Sequence, residues 1–157
     1  MISIKTREEI QIMREGGKIL ATVLAEIAKM AQPGITTLQL DRAAESLILK
    51  AGAKPAFKGY EGFPYSLCAS VNDVVVHGLP YGYILKNGDV VGLDLGVLWK
   101  GYNTDMAVTV AVGEVSFEIK RVMDVAKKSL RLAIKKARPG VTTGDIGNTV
   151  QRFVEDQ

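Results

Sequence analysis

The chain has 157 residues, a net charge of +3 and a hydrophobic content of 47%, which are ordinary values for one globular domain with a real core. The small positive charge is too weak alone to indicate nucleic-acid binding. A single cysteine, Cys68, excludes an intramolecular disulfide and favours a reducing compartment. The N-terminal residues contain no apolar signal core, and no run reaches the length of a membrane span, so we expect a cytoplasmic protein.

The first third of the chain predicts two helices. Thr6 begins a capping box ahead of an amphipathic pattern, which should form a helix from about residue 7 to Ala31. A Pro-Gly pair ends this pattern. Thr36 begins a second capping box, and the helix after it should stop at Gly52. A β-like segment is then expected from Ser66 to about residue 76.

A block of sequence then recurs with its helical surroundings. Lys29–Asp41 returns as Lys135–Gly147, at an offset of 106 residues (135 minus 29). A shared Pro-Gly-x-Thr-Thr core in the same helix-turn-helix context indicates a duplicated unit. We therefore predict a single domain over residues 1–157, with residues 1–112 as a first repeat and residues 113–157 as the start of a second.

The stretch Asp89–Val112 predicts two strands joined by a tight turn. Alternation along the first strand puts its apolar residues on one face and the others opposite, namely Val91, Leu93, Leu95 and Val97 against Gly92, Asp94 and Gly96. A two-residue turn at Trp99–Lys100 would place Asp94 directly across from Asp105. Two carboxylates that face each other at about 5 Å destabilise a sheet unless something offsets their repulsion.

Two interpretations of this aspartate pair stay open on the pattern alone. A shared proton or, better, a bound divalent cation would offset the repulsion, because hard cations favour carboxylate oxygens. Alternatively, the register differs by a residue or two, and Asp94 and Asp105 are solvated polar residues of the strands.

Two further features suggest a binding site. His77, the only histidine, follows a β-like run and precedes Gly-Leu-Pro; it is a candidate substrate contact beside a metal centre, or else a structural or surface histidine. An aromatic loop interleaved with glycine and proline precedes Cys68, and its aromatic members are Phe57, Tyr60, Phe63 and Tyr65. This loop could wall an apolar pocket, or simply pack on the core.

Three segments of the chain resemble the type I methionine aminopeptidases. They are G-Y-E-G-F-P-Y-S-L-C-A-S-V-N-D-V-V-V-H-G at Gly59–Gly78, G-D-V-V-G-L-D at Gly88–Asp94 and N-T-D at Asn103–Asp105. The resemblance implies the α+β pita-bread fold, with a first α-α-β repeat followed by the helices of a second. This agrees with the repeat seen in the sequence itself.

The resemblance also implies roles for particular residues. Asp94 and Asp105 would be ligands of two divalent ions (Co, Mn, Fe or Zn), with Asp105 bridging them. His77 would be the catalytic histidine that contacts the substrate. The methionine side chain would lie among Tyr60, Phe63, Cys68 and, nearby, Phe57. One departure is visible, because members of the family often carry histidine where this chain has Glu61, and we expect a small effect at the pocket rim.

The implied activity is metal-dependent removal of the N-terminal methionine from nascent proteins. Family members draw three more metal ligands and a second substrate histidine from their second half, and nothing after Gln157 supplies them here. We therefore expect negligible activity of the 157-residue chain alone. Three readings follow: an N-terminal segment of a complete aminopeptidase, a natural binding or scaffold module completed by a partner chain, or a half-fold that self-associates through uncovered apolar surface.

A basic helix face offers a weaker alternative partner. Lys127, Arg131, Lys135 and Arg138 share this face, which could contact ribosomal RNA near emerging nascent chains. The simpler interpretation is a solvated outer face whose cations suit the C-terminal end of a helix.

Overall fold

The structure, a computed structural model, describes residues 3–157. The chain divides into two compact units, the first ending at Glu114 and the second comprising Val115–Gln157. The division lies two residues from the repeat boundary predicted from the sequence. Among the described residues, no helix is both long enough and apolar enough to cross a membrane.

The first unit combines two helices with an antiparallel sheet. Its elements are α1 (Arg7–Met30), α2 (Thr37–Lys50), β1 (Lys54–Pro55), a 3-10 turn (Tyr60–Gly62), β2 (Leu67–Val71), β3 (Val90–Trp99) and β4 (Tyr102–Ala111). Both predicted capping boxes are present, at Thr6 and at Thr36. The predicted strand from Ser66 is shorter than expected: it ends at Val71, because Asn72 adopts a left-handed backbone with φ of 51°.

Strand β3 is the centre of the sheet. It pairs with β4 along one edge and with β1 and β2 along the other, always antiparallel. Its apolar face lies in the core with the inward residues of the helices. The fully buried members include Ile27, Leu40 and Ile48 from the helices and Val91, Leu93, Leu95 and Val97 from β3. Burial of this face therefore fixes which residues β3 presents on its other side.

The predicted register of the hairpin is wrong by two residues. Trp99 pairs with Tyr102, so Asp94 lies across from Ala107, and Asp105 lies across from Gly96. The turn residues are Lys100 and Gly101, with φ of 47° and 89°. A two-residue hairpin turn with positive φ at both positions favours glycine at the second, which Lys100–Gly101 provides and Trp99–Lys100 does not.

Contacts between α1 and the hairpin tip also keep Trp99 in the strand. The Glu15 carboxylate accepts a hydrogen bond from Trp99 Nε1 at 3.1 Å and one from Lys100 Nζ at 3.0 Å. The helix approaches closely at Gly16, where an added Cβ would lie 3.2 Å from Trp99 Cβ. The tip of the hairpin is thus attached to the helix that covers the sheet.

The second unit consists of α3 (Phe117–Lys136) and α4 (Thr143–Glu155). Its local structure repeats that of the first helix pair: Thr142 begins a capping box, and Gly140 has a φ of 84°, as Gly34 has 98°. Several apolar side chains of this unit are exposed, namely Phe117, Val122, Leu130, Ile134 and Val154. Self-association and RNA contact by its basic face stay predictions.

A buried carboxylate joins α2 to the start of β2. Asp41, which is 5% exposed, accepts hydrogen bonds at its Oδ1 from the backbone N–H groups of Ser66 (2.8 Å) and Leu67 (3.0 Å). The sequence pattern did not predict this contact, because the two donors lie 25 and 26 residues after Asp41 along the chain. It fixes the position at which β2 enters the sheet.

We expect Asp41→Ala to lower the free energy of unfolding by about 2–4 kcal/mol, because two buried N–H donors would lose their acceptor. Asp41→Asn is the matched control, since a single amide oxygen can accept both bonds and should cost about 1 kcal/mol. Urea unfolding of both variants measures the difference. Equal losses would contradict the assigned role of Oδ1.

Candidate functional site

A cleft of about 560 Å³ opens on the sheet face opposite the core of the first unit. It brings together the seven residues to which the resemblance gives roles, which are Phe57, Tyr60, Phe63, Cys68, His77, Asp94 and Asp105; Tyr65 of the aromatic loop is not among the lining residues. Four further residues line it, Glu61, Gly62, Pro64 and Leu79. The roles given to the seven by the resemblance stay predictions; their shared location is what the structure shows.

Asp94 and Asp105 meet diagonally across the β3–β4 pair. The two-residue error in register preserves the face of each side chain, because alternation along a strand has a period of two. Burial raises the pKa of Asp94 above its usual value, and the neighbouring Asp105 carboxylate, by its charge and by a hydrogen bond, raises it further. Asp94 Oδ1 is buried and has no hydrogen-bond partner among residues 3–157. The pair therefore forms a close acidic site with one carboxylate oxygen left unsatisfied.

Cys68 lies beside this acidic pair, across from Asp94 on β2. Burial raises the pKa of its thiol to about 11, and the charges of Asp94 and Asp105 act in the same direction. Since the thiolate is the nucleophilic form, a thiol that stays protonated near neutral pH is a poor nucleophile. Cys68 therefore fits a wall of the cleft and not a covalent catalyst.

His77 is held at the cleft by the backbone that follows it. The N–H of Ala69 donates to the Gly78 carbonyl at 2.8 Å, and the N–H of Gly78 donates to Ser70 Oγ at 3.1 Å. A Cβ at Gly78 would lie 2.4 Å from the Ala69 carbonyl oxygen, so only glycine permits this approach. His77 itself has a left-handed φ of 56° and is exposed. Positive φ in a non-glycine residue is uncommon and is often found at functional sites.

The aromatic side of the cleft depends on a glycine in β3. Phe57 packs directly over Gly96, where an added Cβ would lie 2.6 Å from Phe57 Cε1. Phe63 packs edge-on against Tyr65, with ring centroids 6.1 Å apart. Tyr60 is 69% exposed at the opening. The wall thus has a packed base and an open rim.

The residues present suit a divalent cation, although they form only part of a site. A carboxylate pair with an unsatisfied buried oxygen is what a hard cation would stabilise. No group of three or more His, Cys, Asp or Glu side chains arranged to hold a metal occurs within residues 3–157. The described residues therefore offer two carboxylates that fit such an ion, and His77 lines the same cleft.

Comparison with known proteins decides the family. Residues 11–157 match the sequence profile of metallopeptidase family M24. The chain belongs to this family. The M24 assignment confirms the metallopeptidase resemblance and, with it, dependence on divalent metal ions; it leaves their number and identity open.

The curated relatives that match this chain include methionine aminopeptidases. Methionine aminopeptidase 1 of Bacillus subtilis is 43% identical over 157 residues, covering 100% of this chain and 63% of its own length. Methionine aminopeptidase of Clostridium perfringens is 45% identical, covering 99% and 62%. The chain thus spans slightly less than two thirds of the relatives it matches.

Solved structures confirm the predicted fold. The methionine aminopeptidase of Thermotoga maritima superposes with a TM-score of 0.97 at 41% identity, over 99% of this chain and 63% of that one. The prolidase of Pyrococcus furiosus, at 24% identity and a TM-score of 0.87 over 98% and 44%, shares the fold alone. The M24 chain therefore has the pita-bread architecture that the resemblance implied, in agreement with the repeat seen in the sequence.

Gly96→Ala should lower the free energy of unfolding by about 1–3 kcal/mol, because the new methyl group forces Phe57 off its packing position. Gly92→Ala is the control on the same face of the same strand, where the nearest atom, Ser70 Cβ, is 3.6 Å from the added Cβ. Urea unfolding of the two variants gives the comparison. A loss at Gly92 as large as the loss at Gly96 would contradict the packing explanation.

Proposed function

We propose that the cleft is the metal-binding and methionine-binding part of an aminopeptidase that removes the N-terminal methionine from peptides and nascent proteins. One observation carries the proposal: a carboxylate pair, a histidine and an aromatic wall line a single cleft. The similarity to methionine aminopeptidases over the whole of this chain supports it.

The wall suits the methionine side chain. Phe57, Phe63 and Cys68 present apolar surface, and the thioether of methionine packs favourably against aromatic rings. A flexible unbranched side chain also tolerates the irregular shape of such a pocket. These residues would thus bind the first side chain of the substrate and direct the first peptide bond toward Asp94 and Asp105.

The acidic pair and His77 would act at that bond. Asp94 and Asp105 would hold the divalent ions, which would polarise the peptide carbonyl and activate a water. His77 lies at the cleft on a backbone fixed by Gly78, so its ring could donate a hydrogen bond to the carbonyl oxygen as negative charge develops there. Cys68, whose raised thiol pKa keeps it neutral, adds no competing nucleophile.

The first test is metal binding by the 157-residue chain. We expect weak binding of Mn²⁺, since two carboxylates hold a divalent ion loosely, and about tenfold or greater weakening in Asp94→Asn and Asp105→Asn. Without metal, Asp94→Asn should raise the thermal midpoint at pH 7, because a group whose folded pKa is raised loses stability as pH rises through that pKa.

Mn²⁺ titration followed by electron paramagnetic resonance measures the affinity, and Asp73→Asn, an exposed aspartate outside the cleft, is the control. Unchanged affinity in both cleft variants would remove the metal site from this pair.

The second test is release of methionine from Met-Ala peptides with Mn²⁺ or Co²⁺, using side by side the 157-residue chain and a longer form in which it is joined to the C-terminal third of a methionine aminopeptidase. We expect activity in the second case to fall to background in Asp105→Ala, because a bridging ligand would be lost. We expect negligible activity of the 157-residue chain. Normal turnover by Asp105→Ala would contradict the proposed role of this residue.

A further inference from the structure

The rim of the cleft carries one acidic side chain that the proposed chemistry does not use. Glu61 lines the cleft and is exposed, and it makes no hydrogen bond or salt bridge within residues 3–157. The nearby Lys58 does not neutralise it, because its ammonium pairs with Glu45 at 2.7 Å. The Glu61 carboxylate is therefore available to a ligand.

The backbone holds Glu61 in a fixed and unfavourable conformation. Its φ and ψ of 47° and 30° lie in the left-handed region, inside the turn formed by Tyr60–Gly62. Hydrogen bonds close the turn on both sides, from Gly59 N–H to the Phe63 carbonyl at 2.7 Å and from Phe63 N–H back to the Tyr60 carbonyl at 2.9 Å. The same turn that builds the aromatic wall thus presents Glu61 at the opening.

The charged side chains that line the cleft determine how Glu61 would act on a ligand. The side chains that line the cleft include three carboxylates and no lysine or arginine. Divalent cations held by Asp94 and Asp105 would offset the charges of those two carboxylates, whereas the lining of the cleft offers Glu61 no lysine or arginine as a partner. Glu61 and Leu79 are both exposed and both line this cleft, so a peptide whose first side chain occupies the aromatic wall would have the Glu61 carboxylate as the charged group of its lining outside the Asp94–Asp105 pair.

We propose that Glu61 is a specificity-determining residue that favours substrates with lysine or arginine shortly after the N-terminal methionine. The proposal rests on the function proposed above, because it assumes that a methionine peptide occupies this cleft. An exposed carboxylate attracts a cationic side chain modestly and in a salt-dependent way, so the expected preference is small.

The test uses isothermal titration calorimetry to compare the binding of three peptides to the 157-residue chain in the presence of Mn²⁺. The peptides are Met-Ala-Lys, Met-Ala-Gln and Met-Ala-Glu. We expect Met-Ala-Lys to bind about threefold more tightly than Met-Ala-Glu at low salt, and this ratio to approach one at high salt. Glu61→Gln should remove the preference, and Glu61→Lys should reverse it. Glu8→Gln, an exposed carboxylate in the first turn of α1, should leave it unchanged.

The possible outcomes distinguish failure of the role proposed for Glu61 from failure of the proposed function. Equal affinities for the three peptides in the unmodified chain would overturn the role of Glu61 and leave methionine binding intact. A preference for Met-Ala-Lys that persists in Glu61→Gln would contradict the proposal, because the preference would then arise from another residue. Failure of all three peptides to bind would overturn the proposed function and this inference together. Circular dichroism of each variant confirms that a changed affinity does not reflect unfolding.

Discussion

Burial of one face of β3 is the constraint on which the site depends. Val91, Leu93, Leu95 and Val97 are each fully excluded from solvent by the helices and the rest of the core. A slip by one residue would bury Asp94 in that core, and an unpaired buried charge costs several kcal/mol. A slip by two residues changes neither face. The core therefore decides that Asp94 faces the cleft, while the turn decides which residue lies opposite it.

The opposite face of β3 is then shaped by small residues. Gly96 leaves room for Phe57 to pack on the strand, and Gly78 lets the segment behind His77 approach β2 at backbone distance. Side chains at these two positions would push the aromatic wall and the histidine away from the carboxylates. These two glycines take no part in the proposed chemistry, but the absence of their side chains allows Phe57 and the backbone after His77 to lie close to the sheet.

The sequence predicted these features unequally, for physical reasons. Helices with capping boxes and strands with strict alternation are encoded locally, so both helix pairs and the faces of β3 and β4 were predicted. The register depended on Lys100 entering the left-handed region, which its residue type does not indicate. The contact of Asp41 with β2 joins distant parts of the chain and has no local pattern. The roles of His77 and of the aromatic residues came from the family resemblance, since the spacing alone left simpler interpretations open.

The unsatisfied oxygen of Asp94 bears on what offsets the repulsion between the two aspartates. A proton shared with Asp105 removes one negative charge and uses one oxygen, which accounts for the raised pKa of Asp94 and still leaves Oδ1 buried without a partner. A divalent cation offsets both charges and can accept coordination from an oxygen that no protein donor reaches. Leaving a buried carboxylate oxygen unpaired has a free-energy cost that a purely structural pair would avoid. Under the proposed function, a cation would therefore account for the position of Asp94 Oδ1 better than a shared proton does.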